Sequence, residues 1–111
     1  MKIVVIGGAG FLGSHVSDSL SKSGYQVTIL DRVASKWLRS DQKMVIGDIS
    51  DAALLNKIIA GCSAVYNFAA VADLDEALDK PLETVRINIL GNVQVLETCR
   101  QNKIPRYIYA S

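Results

Sequence analysis

Two kinds of hydrophobic pattern alternate along the chain: short unbroken apolar runs, and longer stretches in which apolar residues return every three or four positions. The run over residues 2–6 is rich in β-branched side chains, which suits a strand buried on both faces of a parallel sheet. It stops at a cluster of four glycines, Gly7, Gly8, Gly10 and Gly13. Leu12, Val16 and Leu20 then recur every four residues while Ser14, Asp18, Ser21 and Lys22 point elsewhere, predicting a first helix that Gly24 ends. Val27 to Leu30 reads as strand two, stopping at Asp31 and Arg32. From Val33 to Gln42 no period is firm, so a loop or a short helical turn is expected, followed by a brief third strand at Met44–Ile46 that ends at Gly47 and Asp48. Ser50 is placed to cap a second helix with Leu54, Leu55, Ile58 and Ile59 inward and Gly61 closing it. Residues 64–68 predict strand four. An acidic connector containing Asp73, Asp75, Glu76 and Asp79 leads to Pro81 and the longest helix, whose apolar stripe is Val85, Ile89, Val93 and Leu96. Lys103, Ile104 and Pro105 break it before strand five over 107–110.

Strands alternating with helices predict βαβ units with right-handed crossovers, hence a parallel sheet covered on both faces. The expected fold class is α/β: a Rossmann-like doubly wound parallel sheet with strand order 3-2-1-4-5, truncated after strand five. One domain over 1–111 accounts for the whole chain, which has no internal repeat, low-complexity segment or linker.

Composition narrows the function classes. The 111 residues are 50% hydrophobic and 21% charged, with a formal net charge of +1, too little to steer nucleic acid or a membrane surface. Cys62 and Cys99 are far apart without C-x-x-C spacing, so reduced thiols are expected rather than a disulfide framework or a zinc site. The N-terminal apolar run is too short for a signal peptide or membrane span, and a cytoplasmic location is expected. The single histidine, His15, has no paired serine or cysteine and reads as an exposed or half-buried helical residue. The acidic connector reads as a solvated segment, and Trp37 with Leu38 as anchors of the loop after strand two, the alternative being contact with the adenine side of a cofactor.

The glycine cluster carries the chemistry. A chain leaving a buried strand and entering a helix within a few residues must turn tightly, a place where glycine adopts positive φ without a Cβ clash, and Gly7 fits it. A residue at the helix mouth must lack a side chain if a pyrophosphate is to sit against backbone N–H groups and the positive helix end, and Gly10 fits that. Gly13 lies one turn on, where helix and strand pack closely. Spacing alone allows two registers, 8-10-13 and 7-10-13. Asp31 strengthens the reading: it stands at the end of strand two, 18 residues beyond Gly13, where this fold presents a carboxylate to the adenosine ribose. A solvated strand-end residue is the plainer alternative. The same carboxylate opposes an added 2′-phosphate, since like charges about 4 Å apart cost about 4 kcal/mol at an effective dielectric near 20. NAD is therefore favoured over NADP, with Arg32 partly offsetting the preference.

Taken together, Gly7 to Gly13, Gly47-Asp48-Ile49, Asn67-Phe68-Ala69-Ala70, Asn88 to Val93 with Leu96-Glu97, and Arg106 to Ser111 resemble, in order and spacing, the extended short-chain dehydrogenases. This is the NAD-dependent epimerase/dehydratase family, many of whose members act on nucleotide sugars. The resemblance covers the whole chain and selects the register 7-10-13. It implies that Phe11 and Leu12 lie at the pyrophosphate turn, Asp31 and Arg32 at the adenosine ribose, and Asp48 with Ile49 at adenine, the Asp48 carboxylate accepting from the exocyclic amine. For Asp48 a helix N-terminal role beside Ser50 competes with this. Phe68, Ala69 and Ala70 resemble the small-residue strand end beside the nicotinamide ribose, although core packing also explains the alanines. Asn88 resembles the asparagine that ties helix to strand near the cofactor and is counted with the cofactor-binding residues, an entirely structural role being the alternative.

Two departures from the family stand out. Asn67 occupies a position where the family commonly has histidine, and it is read as non-catalytic and of little consequence. The family's Tyr-x-x-x-Lys pair, tyrosine as acid/base and lysine lowering its pKa, has no counterpart: Tyr25, Tyr66 and Tyr107 are followed four residues on by Ile29, Ala70 and Ser111. The expectation is the NAD-binding portion of a nucleotide-sugar epimerase or dehydratase, inactive by itself and open to homo-oligomerisation through its sheet edge or helices. A non-catalytic NAD(P)-binding sensor and a structural domain docking another chain are the alternatives.

Overall fold

The computed structural model describes residues 1–69 and 78–109, with 84–88 described by backbone alone. The expected alternation is present: β1 (Lys2–Ile6), α1 (Phe11–Lys22), β2 (Gln26–Asp31), β3 (Gln42–Ile46), α2 (Ala52–Ile59), β4 (Ala64–Asn67), α3 (Pro81–Val85), a π-helical segment (Arg86–Gly91), α4 (Asn92–Gln101) and β5 (Arg106–Tyr109). All pairings are parallel and the strand order is β3-β2-β1-β4-β5, the doubly wound arrangement expected.

Alternation of side chains along the strands divides the core in two. Val4, Ile6, Leu30 and Val65 face α2 and α4 and pack with Leu55, Ile58, Ile59, Val95 and Cys99. Ile3, Val5, Val27, Ile29 and Ala64 face the other way, with Leu20, Met44, Tyr66 and Phe68 packed against them. Register brings Ile6, Leu30 and Asn67 into one row, with Asp31 and Ile46 paired one step beyond it. The loops leaving β1, β2, β3 and β4 therefore emerge together at the carboxyl edge of the sheet.

Three helix features differ from the sequence expectation. On α1 the buried face is Gly13, Ser14, Ser17 and Ser21, whereas Leu12 is 55% exposed. At its start the helix touches the turn and has no room for a side chain: a Cβ on Gly13 would stand 2.3 Å from the Gly7 carbonyl oxygen. The small hydroxyls are satisfied locally, Ser17 Oγ donating to Gly13 O at 2.7 Å, while Ser21 Oγ accepts from the buried Gln42 amide at 3.0 Å. The cap of α2 is Asp51, whose Oδ1 accepts from Leu54 N–H at 3.1 Å; Ser50 instead gives its own N–H to Asp48 Oδ1 at 2.9 Å.

The third difference is in the long helix. It is helical from 81 to 101 but π-helical in the middle, and α4 buries Val95, Thr98 and Cys99. Ile89, Val93 and Leu96 of the expected stripe are each at least 50% exposed, while the Val85 side chain lies outside the described residues. The face that docks is the one whose size matches the space beside α2, where Asn102 Nδ2 also donates to Asn56 Oδ1 at 2.9 Å.

Candidate functional site

The carboxyl edge of the sheet gathers nearly all of the candidate residues. The turn after β1 is built on Gly7, which has φ +76° and whose N–H extends the ladder to Leu30 O at 2.7 Å. A Cβ there would meet the Phe68 carbonyl carbon at 2.8 Å and Ala69 N at 2.9 Å, so the turn rests directly on the peptide that leaves β4. Gly13 is required by the packing already described. Gly8, outside the chosen register, is also sterically required, because a Cβ would lie 2.6 Å from the Ile29 side chain. Gly10 differs from these: it is exposed, and the nearest atom to a Cβ there is Gly7 O at 3.6 Å. The protein's own packing does not demand a bare backbone at Gly10, and the space above it is open.

Gly10 is also the N-cap of α1, and no side chain caps that end and no acid lies in its first turn. The amides of the first turn therefore face outward with the positive end of the helix dipole, a surface suited to a diphosphate. Phe11 and Leu12 stand exposed at this mouth, the Phe11 ring lying edge-on to His15 with centroids 4.6 Å apart.

Asp31 reaches the same turn from β2. Its Oδ2 accepts from Ala9 N–H at 3.0 Å, across 22 residues of sequence, and its Oδ1 accepts from Arg32 N–H at 2.7 Å. Each carboxylate oxygen retains a lone pair for a further donor. Arg32 is exposed beside it. Asp48 follows β3 and is half-buried, reached through Gly47, whose N–H bonds Asp31 O at 2.9 Å. The Ile49 side chain is buried in the core, which leaves its main chain at this edge.

On the far side of β1, Phe68 N–H bonds Ile6 O at 2.8 Å, and Phe68 and Ala69 are half-buried against opposite halves of the core. Ala70 lies outside the described residues, as do Asp73, Asp75, Glu76, Ala110 and Ser111. Asn88 falls in the π-helical segment, and its side chain is likewise outside them.

Among the described residues, helix and strand are tied by Asn67, Asn92 and Tyr107, of which the sequence singled out only Asn67. Asn67 Nδ2 donates to Asn92 Oδ1 at 3.2 Å and to Tyr107 Oη at 3.0 Å, and the Tyr107 hydroxyl donates to Asn92 Oδ1. Asn67 thus has more consequence than its sequence position suggested. The available signal was a buried polar side chain at the end of an apolar strand, which needs partners. Burial pushes the Tyr107 phenol above its ordinary pKa, and the hydrogen bond from Asn67 opposes that shift.

Among the described residues there is no cluster of metal-ligating side chains, and no helix is long and apolar enough to cross a membrane. Residues 3–111 match the model of the NAD dependent epimerase/dehydratase family. A UDP-glucose 4-epimerase from Lactobacillus helveticus is 34% identical over all of this chain and 35% of its own. The crystal structure of a Thermotoga maritima UDP-glucose 4-epimerase with UDP-glucose superposes with TM-score 0.93 at 30% identity, over all of this chain and 38% of that one. A Brucella ovis UDP-glucose 4-epimerase in complex with NAD gives TM-score 0.90 at 32% identity, over 99% of this chain and 35% of that one. The chain thus spans little more than a third of these relatives.

Proposed function

The chain belongs to the NAD dependent epimerase/dehydratase family, and from that premise we propose that it is the NAD-binding portion of an oxidoreductase acting on a nucleotide sugar by epimerisation or dehydration. The observation that carries this reading is the convergence of Asp31 and an uncapped helix start on one glycine turn, with open space over Gly10.

In this reading the first-turn amides of α1 hold the pyrophosphate, with Phe11 and Leu12 at its rim. Asp31 accepts from the adenosine ribose hydroxyls while Ala9 and Arg32 fix its orientation. Asp48 and the Ile49 main chain take the adenine. The segment Phe68, Ala69 and Ala70 borders the nicotinamide ribose, with Asn88 on the helix beyond. NAD, when bound, supplies a reversible hydride acceptor, the capacity needed to oxidise a sugar hydroxyl and later reduce the ketone. The residues here bind and orient, since the 111 contain no Tyr-x-x-x-Lys pair. We place the protein in the cytoplasm, consistent with its two free, buried thiols. Pairing with a second copy would engage the exposed β5 edge or the bare face of the long helix.

Calorimetric titration with NAD and NADP tests the cofactor assignment. Asp31→Ala removes charge-assisted bonds to the ribose and is expected to weaken NAD by about tenfold or more. NADP, already opposed by that charge, loses less. Equal losses for the two cofactors would remove the ribose role.

A further inference from the structure

Asn67 is 4% exposed, and both polar atoms of its amide are hydrogen-bonded. Both amide hydrogens go to partners on other elements, Asn92 at the first position of α4 and Tyr107 on β5, and these two partners bond each other. The remaining atom, Oδ1, accepts from Ala69 N–H at 3.0 Å. That last bond is a local turn in which the side chain stands in for backbone and directs the chain away from β4. The Asn67 carboxamide is planar, so its two outer partners determine where its oxygen points.

The Phe68–Ala69 peptide set by this bond is the one on which Gly7 rests, within 3 Å of a Cβ position that glycine leaves vacant. A dinucleotide bound to this fold crosses the carboxyl edge where the strand order reverses, between β1 and β4. With Asp31 on the β2 side taking the adenosine half, the Phe68–Ala69 peptide borders the other half. We propose that Asn67, Asn92 and Tyr107 act together as positioning residues that set the height of the Phe68–Ala69 peptide for the nicotinamide-ribose half of NAD. This rests on the cofactor reading above. The device joins the junction of the π-helical segment and α4 to the cofactor crevice, so displacement of that helix is transmitted to the nicotinamide side and spares the adenosine side.

The test compares NAD with ADP, which lacks the nicotinamide and its ribose, on the 111-residue chain. Tyr107→Phe keeps the ring and removes the hydroxyl, and Asn92→Ser provides a second variant should the first fail to fold. The expected result is NAD affinity reduced by roughly tenfold with ADP affinity changed by less than about twofold. The Ala69 amide is expected to exchange with solvent faster in both variants, while Asp31→Ala weakens NAD and ADP alike. Equal losses for NAD and ADP in the two network variants, or no loss in either, would overturn the positioning role. If the unaltered chain bound neither ligand, the cofactor reading would fail first and this inference with it.

Discussion

Three glycines of one motif do three different jobs, and only atomic contacts separate them. Gly7 needs positive φ, Gly13 needs the helix to touch the turn, and Gly10 meets nothing of the protein's own. Substitution should divide them accordingly. Gly13→Ala is expected to destabilise the fold by about 2 kcal/mol or more, because the added carbon would stand 2.3 Å from a backbone oxygen that has nowhere to move. Gly10→Ala is expected to leave the thermal midpoint nearly unchanged while weakening NAD several-fold, since its Cβ would project into the space assigned to the pyrophosphate. Thermal unfolding and cofactor titration on both variants check this, and a large loss of stability at Gly10 would contradict the ligand-facing assignment. Asp31 was readable from spacing because the strand–helix–strand unit has a nearly constant length. The Asn67, Asn92 and Tyr107 network was not, since its members lie 25, 40 and 15 residues apart and none belongs to a motif whose chemistry calls for the others.

At the level of elements, periodicity located β1 to β5 and the helices α1, α2 and α4 to within a few residues, but it missed most of the buried face of two helices and gave no sign of the π-helical segment. The period of α1 picked out Leu12, Val16 and Leu20 because they are apolar, and of these Leu20 does pack against the core, whereas the buried positions are the small Gly13, Ser14, Ser17 and Ser21. The consequence is a reversed expectation for substitutions. Ser17→Leu adds apolar surface yet should cost about 1–3 kcal/mol by overpacking, with loss of the hydrogen bond to Gly13 O adding to that. Leu12→Ser should stay within about 0.5 kcal/mol of the parent. Urea denaturation midpoints distinguish the two, and similar costs would mean that α1 is held by its apolar stripe after all. The long helix repeats the lesson: a π-helical segment interrupts the regular period, and Val95 and Cys99 dock while Ile89, Val93 and Leu96 stay half exposed or more.

Across the whole molecule, the larger half of the core contains both thiols. Burial pushes the Cys99 thiol up to about 11, the nearby Cys62 reinforcing this, and burial raises Cys62 as well. The sign follows directly: a thiol whose folded value exceeds its unfolded value near 9 favours the folded state while protonated. That stability is complete below about pH 9 and is lost as pH rises towards about 11. Urea midpoints should therefore fall over this window, and Cys99→Ala should flatten the decline even though it lowers stability at neutral pH. An unchanged slope would move the alkaline sensitivity to other groups, Tyr107 foremost. The same burial makes both thiols slow to alkylate in the folded chain.

The sequence by itself determined the order of elements, the parallel sheet, the place of the glycine turn and the acid that meets it. These follow from local quantities: hydrophobic period, the backbone freedom of glycine, and the length of a strand–helix–strand unit. Tertiary structure alone decided which helix faces are buried, that Asp51 rather than Ser50 caps α2, that Gly10 opens outward, and that two amides and a phenol from three elements are hydrogen-bonded to one another beside the peptide under the turn. Those outcomes depend on volumes and distances between segments remote in sequence, and no local pattern encodes a distance that exists only after the sheet has closed.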